Sequence, residues 1–153
     1  GSCNGCEIEI ASAFGPHYDA AQYGARLVAS PRHADGLLVT GVVTKNMATP
    51  LQKTLEATPH PRVVIACGDC AINGGLLASA YAIEANLDEL VDVDVAIPGC
   101  PPHPLAITDA LRSLTGHYHE VHPDAPKKPA TDGAAPAGQA AEQSKGAGET
   151  PKQ

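Results

Sequence analysis

The chain has 153 residues, a formal net charge of −7 and only 3% aromatic residues. That length favours a single domain, and an acidic balance with few arginines excludes an ordinary nucleic-acid binder, which needs clustered cations against phosphate. No apolar run approaches the roughly 18 residues of a membrane span, and the start lacks a signal-peptide pattern.

The chain opens Gly1-Ser2-Cys3 with no leading strand or helix, and Glu7 and Glu9 follow at a helix start. Arg26–Ala29 reads as a brief strand before the turn-rich Ser30-Pro31-Arg32. Leu37–Val43 (LLVTGVV) is a stronger strand, continuously apolar as expected where both sheet faces are covered. Thr49-Pro50 has the form of an N-cap and first-turn proline. The helix it opens runs to about Ala57, with Leu51 and Leu55 on one face. Pro59 and Pro61 punctuate its end.

Arg62–Cys67 (RVVIAC) is the next buried strand. Gly74-Gly75 marks a turn, Leu76–Leu90 has helical character, and Asp92–Ile97 reads as the last strand. Pro104–Leu114 forms a final helix on Ile107, Leu111 and Leu114. From Pro123 to Gln153 there is no Val, Ile, Leu, Met, Phe or Tyr. That composition cannot offset the entropy of ordering, so residues 123–153 read as a disordered Ala/Pro/Gly-rich tail behind a domain spanning 1–122.

Strand–helix alternation implies parallel pairing with right-handed crossovers. The expected fold class is α/β: a flavodoxin-like open parallel sheet with helices on both faces, its first strand expected ahead of Gly1. Such sheets place their sites beyond the carboxyl ends of the strands. Cys67 and Cys70 fall at the end of one strand and Cys100 just past another. Cys3 and Cys6 join them if a strand leads into Gly1.

Five cysteines cannot all pair within one chain, and without a secretion signal the expectation is a reducing cytosol where cysteines bind metal or do redox chemistry. An iron–sulfur cluster needs soft thiolates, commonly including a Cys-x-x-Cys pair on a tight loop. Cys3-Asn4-Gly5-Cys6 offers that pair, Gly68-Asp69-Cys70 and Gly99-Cys100-Pro101-Pro102 two further ligands. Zinc on Cys3/Cys6 and Cys67/Cys70 is the rival, as a zinc-stabilised interaction module without redox activity. Its inter-pair gap exceeds that of a zinc ribbon, and Cys100 is left over. A thioredoxin-like dithiol at Cys67-Gly68-Asp69-Cys70 is a third reading, without an obvious basic neighbour.

SCNGCEIEI, SPRHADGLLVTG, TKNMA, CGDCAINGG and PGCPPHP occur in that order. Together they resemble the small, cluster-bearing subunit of energy-converting (group 4) NiFe hydrogenases, within the superfamily of the NADH:quinone oxidoreductase 20 kDa subunit. The resemblance covers residues 1 to about 115. It implies one 4Fe–4S cluster on Cys3, Cys6, Cys70 and Cys100, nearest the NiFe-type large catalytic subunit, with Cys67 left as a buried hydrophobe. It also implies a ferredoxin-like multi-cluster partner subunit and, indirectly, membrane subunits. The chain is then a non-catalytic electron-transfer subunit, cytoplasmic and peripheral on the inner face of the cell membrane. Quinone-enzyme subunits carry adjacent cysteines in the first loop. Asn4 and Gly5 separate them here, which favours the hydrogenase branch and makes a complex I-like partner the alternative.

By the same resemblance Glu9 stands beside the cluster, where it could handle protons, although acids at a helix start also favour the macrodipole. Arg32 and His33 lie in a loop facing the partner subunit, where a cation could raise the cluster potential; a solvated loop accounts for them equally well. Lys45 and Asn46 carry the same two readings. His117, His119 and His122 read as a surface segment. No Gly-x-Gly phosphate loop supports a nucleotide or flavin.

Overall fold

The computed structural model describes residues 1–116; the expected tail and His117, His119 and His122 lie outside the described residues. Helix α1 (Gly5–Ala13) leads, followed by strands β1 (Gly36–Thr40) and β2 (Val43–Thr44) and helix α2 (Lys45–Ala57). Then come β3 (Val63–Cys67), α3 (Asp69–Asn73), β4 (Ile83–Ala85), α4 (Leu87–Leu90), β5 (Val95–Ile97) and α5 (Pro104–Thr115). The main sheet has the order β1-β3-β5, all parallel, and β2 pairs with β4 antiparallel in a separate ribbon.

The alternation along β3 explains the layers. Ile65 and Cys67 face α1 and α5, packing with Ile10, Ala13, Ile97 and Ile107. Val64 and Ala66 face the opposite way, onto Ala71, Leu87 and Val91, with Leu51 and Leu55 of α2 beside them. Both sheet faces are covered, as the continuous apolar run requires. Ile107 and Leu87 anchor the two faces; full burial of such a side chain stabilises by roughly 1.5–3 kcal/mol. Helix α5 starts cleanly, because His103 accepts the Leu105 N–H through Nδ1 and Pro104 needs no partner at the first turn.

The expected α/β architecture is present, but four segments differ in detail. LLVTGVV is not one strand: it breaks at Gly41 (φ 69°), where a Cβ would strike the Gly1 carbonyl, and Val43 turns away to join β4. Helix α2 begins at Lys45 rather than Pro50, so Pro50 sits inside it. Both Pro50 and Asn46, whose carbonyl loses its helical partner, are exposed, so that carbonyl is open to solvent. Arg26–Ala29 is irregular, with Leu27 and Val28 exposed. The Leu76–Leu90 stretch holds a 3-10 turn, β4 and the four-residue α4 instead of one helix. Among its described side chains only Leu87 is buried, so a long helix would have no apolar face to pack. No described helix is long and apolar enough to cross a membrane.

Candidate metal centre

Parallel pairing puts Thr40, Cys67 and Ile97 in one row at the carboxyl end of the sheet. The chain segments that carry the other cysteines start within a few residues of that row. Gly68 donates its N–H to the Ile97 carbonyl (2.8 Å), tying the Cys70 segment to the strand beneath the Cys100 segment. The first loop arrives at the same edge by another route. Gly1 and Val42 exchange two backbone hydrogen bonds of 2.8 and 2.9 Å just beyond β1.

Glu7 completes that attachment. Its Oε1 accepts from the Thr40 hydroxyl at 2.6 Å and its Oε2 from the Ser2 hydroxyl at 2.7 Å. Ser2 Oγ in turn accepts the Asn4 N–H at 3.1 Å. Partial burial pushes the Glu7 carboxyl upward, but the hydroxyls of Thr40 and Ser2, with a backbone hydrogen bond and the Gly1 ammonium adding to them, together hold the group below its ordinary value.

Cys6 and Cys70 each lie within electrostatic reach of Cys3 and Cys100, and Cys6 within reach of Cys70. Burial pushes the Cys6 thiol up, and Glu7, Cys3, Cys70 and Cys100 add to the shift as charges facing it. Burial likewise raises Cys70, followed by Cys100, Cys3 and Asp69. Crowded thiols resist becoming thiolates together, a cost that a bound metal centre removes by deprotonating them outright. Cys3 and Cys100 are exposed, Cys70 half-buried and Cys6 buried, so the group has an inner corner and an open side.

Cys67 differs. It is fully buried in the α1/α5 core, and burial, with Cys6 and Glu7 adding, pushes its thiol up to about 12. Of the four other cysteines, only Cys6 contributes to that shift.

Glycines give the sulfurs room. A Cβ on Gly68 (φ 89°) would lie 2.7 Å from Cys6 Sγ, and one on Gly75 would lie 3.1 Å from Cys70 Sγ. A Cβ on Gly5 would lie 3.5 Å from Cys3 Sγ. Soft donors on three small-residue loops fit an iron–sulfur group. Among the described residues no three His, Cys, Asp or Glu side chains close around a single-ion site.

The remaining sequence candidates lie elsewhere or stand idle. Glu9 is half-buried on α1 and has no hydrogen-bond partner among the described residues; the engaged acid is Glu7. Arg32 and His33 are exposed in a 3-10 turn at Pro31–His33, and Lys45 and Asn46 are exposed at the start of α2. Sequence reasoning missed Thr40, Asp69 and the specific role of Glu7. The signal for Thr40 was its position as the last strand residue before Gly41, on the edge already expected to hold the site.

An open α/β sheet with a thiol group at its carboxyl edge defines the class. The family model described as NADH ubiquinone oxidoreductase, 20 Kd subunit, matches residues 3–114, and the chain belongs to that family. It is 50% identical over 107 residues to the probable membrane-bound hydrogenase subunit mbhJ of Pyrococcus furiosus, covering 70% of this chain and 64% of that protein. It is 46% identical over 106 residues to formate hydrogenlyase subunit 7 of Escherichia coli, covering 69% and 42%. The chloroplastic NAD(P)H-quinone oxidoreductase subunit K of Helianthus annuus is 43% identical over 121 residues, covering 78% and 54%. The chain thus spans between about two fifths and two thirds of these relatives. A chain in the structure of the archaeal membrane-bound sulfane sulfur reductase superposes with a TM-score of 0.68 at 37% identity, covering 77% of this chain and 67% of that one.

Proposed function

We propose that this protein holds one 4Fe–4S cluster on Cys3, Cys6, Cys70 and Cys100 and relays electrons within a hydrogenase complex. The observation that carries the reading is the approach of these four thiols at one sheet end, while Cys67 is fully buried and faces only Cys6 of the four. The cluster supplies one-electron chemistry. The chain supplies thiolates, glycine clearance around the sulfurs, and a hydrogen-bonded carboxylate that pins the first loop. A zinc site on two Cys-x-x-Cys pairs would have to draw Cys67 out of a fully buried strand position.

Hydrogenase partners are favoured by the names of the P. furiosus and E. coli relatives and by the two-residue insert between Cys3 and Cys6. In that setting electrons pass from a ferredoxin-like subunit to a NiFe large subunit beside the cluster. Membrane subunits then hold the assembly at the inner face of the membrane. The likeness to a quinone oxidoreductase subunit favours a second reading, a complex I-like partner.

Iron and sulfide analysis of the protein purified anaerobically, with EPR of the reduced state, tests the cluster. Cys100→Ser must lower iron content; a colourless wild type carrying one zinc ion refutes the reading. Nickel in the co-purified complex separates the partners, and its absence together with quinone reduction assigns the second one.

A further inference from the structure

The Cys70 and Cys100 segments are joined beyond the end of the sheet by a single residue. The Asp69 N–H donates to the Gly99 carbonyl at 2.9 Å, and the Gly99 N–H donates to Asp69 Oδ1 at 2.8 Å. The last strand pair is Cys67 with Ile97, and the next rung is Gly68 N–H to the Ile97 carbonyl. Asp69 therefore extends the β3–β5 ladder by one more step. Its carboxylate accepts the bond that a strand carbonyl would accept, at the point where the backbone turns into α3. Asp69 directly precedes Cys70 and Gly99 directly precedes Cys100, so these two bonds fix how far apart the two sulfurs are carried.

The side chain is half-buried, so its charge is only partly screened. Asp69 directly precedes Cys70, and its Oδ1 is held on the N–H of Gly99, the residue before Cys100, so its charge is fixed beside both sulfur-bearing residues.

We propose that Asp69 is a positioning residue for the thiol group. Its carboxylate braces the Cys70 and Cys100 loops and, resting on the cluster reading above, its negative charge lowers the reduction potential of the cluster they hold. Reduction adds one electron to the cluster, and a fixed anion beside it disfavours that added charge. The brace and the charge are separable. Asparagine keeps both the backbone N–H and an Oδ1 acceptor for Gly99 but carries no charge; alanine keeps only the backbone N–H.

The test compares wild type, Asp69→Asn and Asp69→Ala in the full complex, by iron per protein and by potentiometric EPR titration. Asp69→Asn is expected to hold iron at the wild-type level with a midpoint potential shifted positive. Asp69→Ala is expected to lose about 10- to 100-fold in cluster affinity, the scale for removing a hydrogen-bond partner behind a metal ligand. Wild-type iron retention in Asp69→Ala, or an unmoved potential in Asp69→Asn, overturns the proposal. If Asp69→Ala does not fold, Asp69→Asn alone decides through its potential.

Amide exchange of Gly99 in the iron-free chain reads the brace without a cluster. It must speed up in Asp69→Ala and stay near wild type in Asp69→Asn; equal exchange in all three chains overturns the brace. A wild type that binds no iron sinks the cluster reading instead, and the exchange result still judges the brace.

Discussion

Replacing Cys67 by alanine separates packing from ligation. Cys67 is fully buried among Ile65, Ile97, Ile107 and the α1 side chains. Deleting its Sγ removes one methylene-sized group from that core, which costs about 0.5–1.5 kcal/mol once the small cavity is included. The melting temperature should fall by roughly 2–8 °C. Cys67→Ser should cost about 1–3 kcal/mol more, because a strongly polar hydroxyl placed there is buried with only the Cys6 thiol, a weak partner, within reach. Iron per protein should stay at the wild-type level in Cys67→Ala, whereas Cys70→Ala should lose iron with little change in the stability of the core. The assay is thermal unfolding beside anaerobic iron analysis of the three variants. Loss of iron in Cys67→Ala together with its retention in Cys70→Ala would refute the assignment of Cys70 and put Cys67 in its place as the ligand.

The same buried thiol governs alkaline stability. Its contribution is fully present below the ordinary value of 9.0 and is lost as pH rises toward about 12, since the unfolded chain releases the proton first. Its share of the limb should fall by about 1.4 kcal/mol per pH unit, so the limb becomes shallower in Cys67→Ala while the part carried by Cys6 and Cys70 remains, measured on iron-free protein by denaturant titration. At the acid end, Glu7 is held below its ordinary 4.5, so its stabilisation is present above that pH and lost as pH falls through the lowered value. Glu7→Gln should remove that acid limb in urea unfolding; an unchanged limb rejects the Ser2–Glu7–Thr40 anchor. Gly68→Ala combines the cost of about 1–3 kcal/mol for a side chain in a positive-φ extended backbone (φ 89°, ψ 156°) with a Cβ placed 2.7 Å from Cys6 Sγ, and it should lower iron loading. Wild-type loading in Gly68→Ala excludes that crowding. Arg112 is 3% exposed, bonded to Asp109 at 3.0 Å and stacked 4.4 Å over Tyr23, but its Nε and Nη2 lack partners among the described residues. Arg112→Met should therefore lie within about 1 kcal/mol of wild type by thermal unfolding, and a loss above about 3 kcal/mol contradicts this account.

Much of the sheet was legible because buried parallel strands write themselves as aliphatic runs. RVVIAC and the Ile107/Leu111/Leu114 helix appear within a residue or two of their expected limits. The failures share a cause. Thr49-Pro50 carries a local start signal, yet Lys45 can begin α2 earlier because the Pro50 backbone faces water. In Leu76–Leu90 the apolar spacing is helical but the side chains lie outside, with Leu76 and Tyr81 more than 90% exposed. Periodicity records which residues are apolar, not which of them tertiary contacts cover. The site shows the same division. Cysteine positions and strand ends are properties of the sequence, whereas the Glu7–Thr40 and Asp69–Gly99 bonds join residues 33 and 30 apart and exist only in the fold.

The registered row of Thr40, Cys67 and Ile97 also fixes an order of events. A zinc finger gathers its ligands within one short loop, so metal binding can drive its folding. Here Cys3, Cys70 and Cys100 lie on segments far apart in the chain, and the entropy of closing those long loops must be met before any thiol finds its neighbours. Assembly of the thiol group therefore reports that β1, β3 and β5 are already in register. On the proposed cluster reading, cofactor insertion would be a late checkpoint on a finished sheet, with the exposed Cys3 and Cys100 marking the side from which it could proceed.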